Sequence, residues 1–237
     1  GWERFAATCL AMHVDLAAAN TTAEAVVEAY RDRYPAIAGR RGASGYRKGG
    51  LWRHFEYAAR LAIEGRGPVS AGKCTFAADD GDLIVRLPSG RILYYRNARL
   101  EPVEEDEYSS GFNGTPRTEI VFDSPTTLNV PTYGGKLTEN LVSGICRDLL
   151  AGALVACEAA GLPVVLHVHD EIVIEVPASA ADKSLQALLA ITSTQPGWAK
   201  GLPIEVEGFV AERYFKTPPA GSIVRRAKLG TLLPRHE

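Results

Sequence analysis

The feature that most constrains the fold is an apolar–polar–apolar stretch at residues 162–177. Two runs rich in β-branched residues, 164–166 and 172–174, flank a polar centre, and prolines lie near both ends. Such runs favour strands, and polar residues between them are typical of a tight turn. The pattern predicts a β-hairpin that turns near His169 and Asp170. The polar residues at its centre are His167, His169, Asp170 and Glu171.

Acidic side chains at a hairpin tip are open to solvent. Asp170 and Glu171 could bind a divalent metal ion there, since hard cations such as Mg²⁺ prefer carboxylate oxygens. A chance grouping of charge at an exposed turn explains the same residues equally well. The hairpin alone therefore leaves a catalytic and a purely structural interpretation open.

The composition is that of a globular chain with a sizeable core. Of 237 residues, 46% are hydrophobic and 23% are charged, and the net charge is −2. Because the whole chain has no basic excess, a nucleic-acid partner would have to be bound by local groups of cations. The four cysteines lack CxxC spacing. Free thiols in a reducing compartment are expected, with Cys146 and Cys157 packed in a helical region.

No apolar run approaches the roughly 20 residues that a membrane-spanning helix needs, and no signal peptide is recognisable. We therefore expect a cytoplasmic protein without a membrane partner. The chain begins with Gly1 and Trp2, not with Met, and enters helix-like sequence at once. This start predicts a fragment, a processed product or one piece of a split protein.

Periodicity predicts the remaining elements. Two helices are expected within 1–38, the second capped within residues 20–22 and ending before Pro35. Further helices are predicted over 51–63, from Gly134 to about 160, and over 182–191. Strands are predicted at 83–87, 91–95, 119–122 and 203–207. Residues 101–107, with five carboxylates, predict a solvated loop, and 218–237 predict a loose basic tail.

This order of elements predicts an α+β fold: an antiparallel sheet with helices on one face, and a helical amino-terminal part. Four parts are expected: a helical segment at 1–64, a hairpin and loop insertion at 65–132, a region with the central hairpin at 133–215, and the tail at 216–237.

Residues 39–50 form a glycine-rich basic segment. Its composition suits a mobile loop near a polyanion, and an ordinary solvated loop explains it equally well. Its cations are Arg40, Arg41, Arg47 and Lys48.

Short motifs occur in a fixed order along the chain. They lie at 1–5 (GWERF), 29–31 (AYR), 34–35 (YP), 87–95 (LPSGRILYY), 133–140 (YGGKLTEN) and 168–171 (VHDE). Together they resemble the carboxy-terminal part of family A (DNA polymerase I-like) DNA polymerases, particularly those of bacteriophages. The resemblance covers residues 1 to about 215, and it would make 133–215 a palm and 1–64 a segment derived from the fingers.

The resemblance implies template-directed nucleotidyl transfer by a two-metal mechanism. Asp170 would be one of two metal-binding aspartates, Glu171 an auxiliary acid beside the metals, and His169 a contact to the primer terminus. In such a site two Mg²⁺ ions, with Mn²⁺ as a substitute, activate the primer 3′-hydroxyl and stabilise charge on the phosphate. The implied partners are primer–template DNA and deoxynucleoside triphosphates, in the host cytoplasm if a phage encodes the chain.

The resemblance also places the long helix beside the minor groove of the primer–template. Together with the cations of 39–50, the candidate contacts on this helix are Lys136, Glu139, Asn140 and Arg147. A solvated helix face explains the four helical residues about equally well.

The chain departs from the family in two features. The family's second catalytic aspartate and its nucleotide-binding fingers helix are absent from this sequence. One aspartate cannot hold two Mg²⁺ ions tightly, because the pair needs at least two bridging carboxylates. We therefore expect the chain to work with an upstream polymerase polypeptide. Segment 39–50 exceeds what the family has at this place, and no role follows from the resemblance.

Two other hypotheses remain. A metal hydrolase could use His167, His169 and Asp170, although His13, His54 and His236 supply no partner motif. On strand alternation His167 and His169 share one face, which also suits ordinary sheet residues. The other hypothesis is a non-catalytic polymerase remnant that binds DNA or another replication protein.

Overall fold

The computed structural model describes residues 1–43, 47–103, 118–229 and 231–232. Contacts divide the chain into two compact units. The first comprises Gly1–Leu87 and Ile92–Leu141, and the second comprises Pro88–Arg91 and Val142–Glu237. The chain combines helices with antiparallel sheets, which confirms the predicted α+β class. The assignment of its parts to a palm and fingers stays a prediction. The four-part division expected from the sequence stays a prediction.

The amino-terminal part of the first unit is helical, as predicted. Its helices are α1 Trp2–Ala11, α2 Ala23–Arg33, α3 Pro35–Ala38 and α4 Leu51–Ile63. The Thr22 hydroxyl accepts a hydrogen bond from the Ala25 amide at 3.2 Å, which confirms the predicted N-cap of α2. Pro35 disfavours helical geometry at the residue before it, so α2 ends and α3 begins with the proline.

Within 39–50 the structure contains a short ribbon instead of an irregular loop. Strand β1 (Arg40–Arg41) pairs with β2 (Arg47–Lys48) in antiparallel fashion. Residues 44–46, between the strands, lie outside the described part of the chain.

A six-stranded antiparallel sheet follows in the first unit, with neighbouring strands adjacent in sequence. Its members are β3 Val69–Ala71, β4 Cys74–Asp79, β5 Asp82–Arg86, β6 Ile92–Pro102, β7 Thr118–Asp123 and β8 Val130–Thr132. The predicted strands at 83–87, 91–95 and 119–122 fall on β5, β6 and β7. Glu101 belongs to β6, whereas 104–107 of the predicted acidic loop lie outside the described residues.

The core of the first unit forms between this sheet and α4. Period-two alternation buries Phe76, Leu83 and Val85 on one face, each at most 1% exposed. Helix α4 contacts β3 to β6, and its Phe55 ring lies 5.7 Å from that of Phe76. The region 65–132, for which the sequence predicts a hairpin and loop insertion, contains the largest sheet of the described chain, and its status as an insertion stays a prediction.

The longest helix, α5, spans Gly134–Ala159, as predicted. A Cβ atom at Gly134 would lie 1.9 Å from the Trp52 carbonyl oxygen, so only glycine permits this approach to α4. The Gly134 amide donates to Glu56 Oε2 at 3.1 Å, and this bond satisfies an otherwise open helix-terminal donor. Within the helix Cys157 is buried, whereas Cys146 is exposed and is not the packing thiol that the sequence predicted.

Helix α5 is also long and apolar enough to cross a membrane, by its length and composition alone. The sequence analysis expected no such segment because it considered only uninterrupted apolar runs. In α5 the charged residues Arg147 and Asp148 interrupt the run, but its many alanine and leucine residues keep the helix apolar on average. This finding concerns length and composition only, and core helices of soluble proteins can be equally long and apolar.

The second unit contains two separate small sheets. Strands β9 (Val164–Val168) and β10 (Glu171–Ile174) form the predicted hairpin. Strands β11 (Glu205–Phe209), β12 (Val224–Lys228) and β13 (Thr231–Leu232) form an antiparallel sheet, against which helix α6 (Ala181–Thr192) packs. Leu185 and Leu189 of α6 form the core there, together with Val206, Val210 and Ala227.

Two predictions are corrected here. Residues 224–228 belong to a strand, so the carboxy-terminal segment is not a loose tail over its described length. Its position is reinforced by Arg225, which forms two hydrogen bonds to Asp182 of α6, at 2.6 and 2.7 Å. The strand predicted at 203–207 pairs with β12 and not with the hairpin, so the single sheet expected from the sequence is two sheets.

Candidate active site

The turn of the β9–β10 hairpin consists of two residues, His169 and Asp170. Val168 pairs with Glu171 and His167 pairs with Ile172, which leaves only these two residues between the strands. His169 has φ = +51°. Left-handed backbone costs a non-glycine residue on the order of 1 kcal/mol. Strain of this kind recurs at functional sites.

His169 therefore does not lie on a strand. The sequence interpretation that His167 and His169 share one strand face is wrong, because strand alternation ends at Val168. His167 instead lines a shallow groove of about 380 Å³ between α5 and β9. The other residues of this groove are Leu154, Val155, Glu158 and Val164.

The two carboxylates at the tip have different surroundings. Asp170 is exposed and, among the residues that the structure describes, makes no hydrogen bond or ion pair. Glu171 is half-buried and accepts a hydrogen bond from the Tyr214 hydroxyl at 2.8 Å. This bond raises the pKa of Tyr214, since the phenol donates only while it is protonated. Asp170 at the hairpin turn is thus exposed to solvent, whereas Glu171 is hydrogen-bonded to Tyr214.

The donor set fits a divalent metal only in part. Asp170 and Glu171 supply the hard oxygen ligands that Mg²⁺ prefers. Over the described ranges, however, no group of three or more His, Cys, Asp or Glu residues could hold a metal ion. The hydrolase hypothesis gains no support from the described residues, and His236 lies outside them. A metal at this hairpin would need ligands from elsewhere.

The LPSGR turn, one of the motifs that carry the resemblance, is fastened to α5 within the second unit. Ser89 and Arg91 both donate to the Asp148 carboxylate, and Arg91 also donates to the Gly144 carbonyl at 2.8 Å. The Asp148 side chain is only 11% exposed. These contacts give the motif a structural role: it fixes the middle of α5.

The four residues of α5 that are predicted to contact DNA differ in the contacts they make within the protein. Lys136 pairs with Glu139 one turn later, at 2.9 Å. Asn140 donates to the Tyr95 hydroxyl at 3.2 Å, beside a phenol whose pKa burial raises. Arg147 is exposed on the helix surface. The DNA-binding roles of all four stay predictions, and the first three make contacts within the protein.

The basic residues of the β1–β2 ribbon are partly neutralised within the protein. Arg41 and Arg47 both bind Glu28 of α2, and Arg47 also binds Asp32 at 2.7 Å. These hydrogen bonds, from Arg47 first and then Arg41, lower the pKa of Glu28 to about 2. Arg40 and Lys48 remain exposed. DNA binding by the four cations stays a prediction.

Sequence reasoning missed Tyr214 as a neighbour of the hairpin. Tyr214 follows β11 in a segment without strand periodicity, 43 residues beyond Glu171. An aromatic residue between basic residues, Arg213 and Lys216, was the only local signal. Only the packing of the second unit identifies its partner.

Comparison with known proteins identifies a relative of the chain. Over 168 residues it is 40% identical to a DNA polymerase of Bacillus phage SP02. The chain is related to a phage DNA polymerase. The alignment covers 70% of this chain and 25% of that polymerase, so the chain spans about a quarter of the length of its curated relative. Neither a protein-family model nor a solved structure matches.

Proposed function

We propose that this chain is the carboxy-terminal, palm-bearing part of a family A DNA polymerase. Its reaction is template-directed transfer of deoxynucleotides to a primer 3′ end. The observation that carries the proposal is the 40% identity to a phage DNA polymerase. The strained hairpin with an exposed aspartate supports it, because such a turn leaves a carboxylate accessible to a divalent metal ion that also binds substrate phosphate.

Each residue of the hairpin has a distinct role in this proposal. Asp170 is one of two metal-binding aspartates, and its exposed carboxylate is free of protein partners within the described residues. Glu171 is an auxiliary acid, held at a fixed place by Tyr214. His169, which the turn places next to Asp170, contacts the primer terminus.

The second aspartate is proposed to come from outside this chain. The described residues contain no third metal ligand at the hairpin, and the chain spans about a quarter of its relative. When bound, two Mg²⁺ ions, or Mn²⁺ in their place, activate the primer hydroxyl and stabilise phosphate charge. An upstream polymerase polypeptide is therefore proposed as partner, supplying this aspartate and the nucleotide-binding fingers helix.

Primer–template DNA and deoxynucleoside triphosphates are the proposed substrates. The exposed cations Arg40, Lys48 and Arg147 are the best candidates for phosphate contacts, since they lie on the surface and, within the described residues, form no ion pair such as those of Arg41 and Arg47. The proposed location is the cytoplasm of the host cell, where DNA and nucleotides are available.

Primer extension tests the function directly. The chain is assayed with Mg²⁺, primer–template and all four deoxynucleotides, first alone and then with the polypeptide encoded immediately upstream. Extension only in the mixture, abolished by Asp170→Ala, is the expected result. Extension by the chain alone contradicts the proposal that the second aspartate lies elsewhere. Stoichiometric DNA binding without extension in either assay favours the non-catalytic remnant.

A further inference from the structure

We propose that Tyr214 is a positioning residue of the hairpin, acting through Glu171. This inference rests on the proposed polymerase function and assigns the carboxy-terminal sheet a part in it. The contact that carries it is the hydrogen bond from the Tyr214 hydroxyl to Glu171 Oε2, 2.8 Å long. A bond between a neutral donor and a carboxylate is stronger than one between two neutral groups.

Tyr214 lies in the connection between β11 and β12, and the sheet fixes both ends of this connection. The connection between β11 and β12 leaves the sheet after Phe209 and returns at Val224, two residues that pair with each other. It is closed at its base by a hydrogen bond of 3.1 Å from the Val210 amide to the Ile223 carbonyl. Tyr214 thus belongs to a connection with a fixed base and not to a free strand end.

The sheet itself is fixed to α6. Arg225 of β12 binds Asp182 with two hydrogen bonds, and Gly208 of β11 lies so close to α6 that an added Cβ would be 2.8 Å from Leu185. Side chains next to Tyr214 also have defined contacts, since the Arg213 guanidinium lies 5.0 Å from the centre of the Phe215 ring. The sheet at the base of the connection that carries Tyr214 is therefore fixed to α6, while the Tyr214 side chain itself is 48% exposed.

The hairpin, by contrast, has little support of its own near the turn. It is a two-stranded ribbon, and an isolated ribbon of this kind is marginally stable in water. Val165 and Leu166 of β9 are exposed at 56% and 43%. The hydrogen bond from Tyr214 to Glu171, the first residue after the turn, limits the movement of the preceding residue, Asp170.

The function of this bond follows from geometry. A carboxylate that must hold a metal ion for catalysis is effective only within a fraction of an ångström of its place, and a shift of 1 Å can cost about a hundredfold in rate. Tyr214 contacts neither substrate nor Asp170 in this proposal. It keeps Glu171, and with it the turn, in one position.

A double-mutant cycle tests the inference. Primer extension is measured with the full assembly, which is this chain together with the upstream polypeptide. Tyr214→Phe removes only the hydroxyl and is expected to lower kcat about tenfold, with the KM for nucleotide changed less than about twofold. In a Glu171→Ala background the same substitution should change kcat by less than about twofold, because its partner is already absent. Tyr57→Phe, which removes an exposed hydroxyl on α4, is the matched control.

The outcomes are distinguishable. If the wild type extends primers and Tyr214→Phe matches it, the inference fails and the proposed function stands. An equal loss in the wild-type and Glu171→Ala backgrounds also overturns it, because Tyr214 then acts independently of Glu171. If the wild type does not extend primers in any mixture, the proposed function fails, and the inference fails with it.

A readout without activity accompanies the cycle. In the chain labelled with ¹³C at the tyrosine Cζ, the Tyr214 signal at neutral pH should shift in Glu171→Ala, because the phenol loses its carboxylate acceptor, whereas the Tyr57 signal should not. An unchanged Tyr214 signal in Glu171→Ala would show that the two groups do not meet, and would overturn the inference.

Discussion

Two antiparallel ribbons in this chain have charged residues at or next to the ends of their strands, yet they differ in what those charges contact. In the β1–β2 ribbon Arg41 and Arg47 are bound to Glu28, and the Arg47 side chain is only 11% exposed. In the β9–β10 ribbon Asp170 is exposed and lacks a partner among the described residues, next to a residue with positive φ. Charges that neutralise one another stabilise a fold, whereas an unpaired charge beside a strained residue marks a candidate site.

The largest effect is expected at Asp170. Asp170→Asn should reduce primer extension by the full assembly by about 10³-fold, because the amide lacks the charge that a metal site needs. The free energy of unfolding of the chain should change by less than about 0.5 kcal/mol, since the side chain is exposed. Extension rates and urea unfolding measure the two quantities. A destabilised variant would indicate that Asp170 has a structural role as well.

At the other ribbon the expected effect is on stability. Arg47→Ala should lower the free energy of unfolding by about 2 kcal/mol, because it leaves Glu28 and Asp32 without their most buried partner. Arg40→Ala, at an exposed neighbour, is the control and should change little. Urea unfolding at neutral pH is the measurement, and equal effects of the two substitutions would contradict the assignment.

The pH dependence of stability sharpens the same contrast. The pKa of Glu28 is lowered to about 2, so its contribution is fully present above the ordinary carboxyl value of about 4.5 and is lost as the pH falls towards 2. Glu28→Gln should therefore be less stable than wild type at pH 6 and should lose less stability between pH 4.5 and 2. Urea unfolding across this range measures the slope. Parallel curves for the two proteins would contradict the prediction.

The smallest effect is expected at Arg41. Its side chain is 51% exposed, so solvent screens its pair with Glu28. Arg41→Ala should lower the free energy of unfolding by less than about 0.5 kcal/mol, in line with other exposed ion pairs. A loss as large as that of Arg47→Ala would show that the two arginines hold the ribbon equally.

Local patterns in the sequence were enough to locate most elements. Helix α4 spans 51–63 as predicted, because apolar residues at helical spacing and flanking glycines define both ends. The turn at His169 and Asp170 was also located correctly, because the two β-branched runs leave little room for any other turn. The candidate carboxylates were therefore found without the tertiary structure.

Contacts distant in sequence were not predictable in this way. Strand β12 was expected to be a tail, because residues 218–237 are basic and contain prolines and glycines, and its partner β11 precedes it by a long connection. Glu28 and Arg47 are 19 residues apart, and nothing in either local pattern indicates their pairing. The cost of closing such loops is offset only by contacts that form after the chain has folded.

The sequence by itself determined the helices, the strands and the acidic turn, since periodicity and turn residues act over a few positions. The tertiary structure decided which strands share a sheet, which cations are neutralised and which carboxylate has a partner. Asp170 and Glu171 are adjacent in sequence and equally acidic, yet only Glu171 meets Tyr214. Hydrogen bonding requires donors and acceptors within about 3 Å, and only the packed fold brings groups 43 residues apart to that distance.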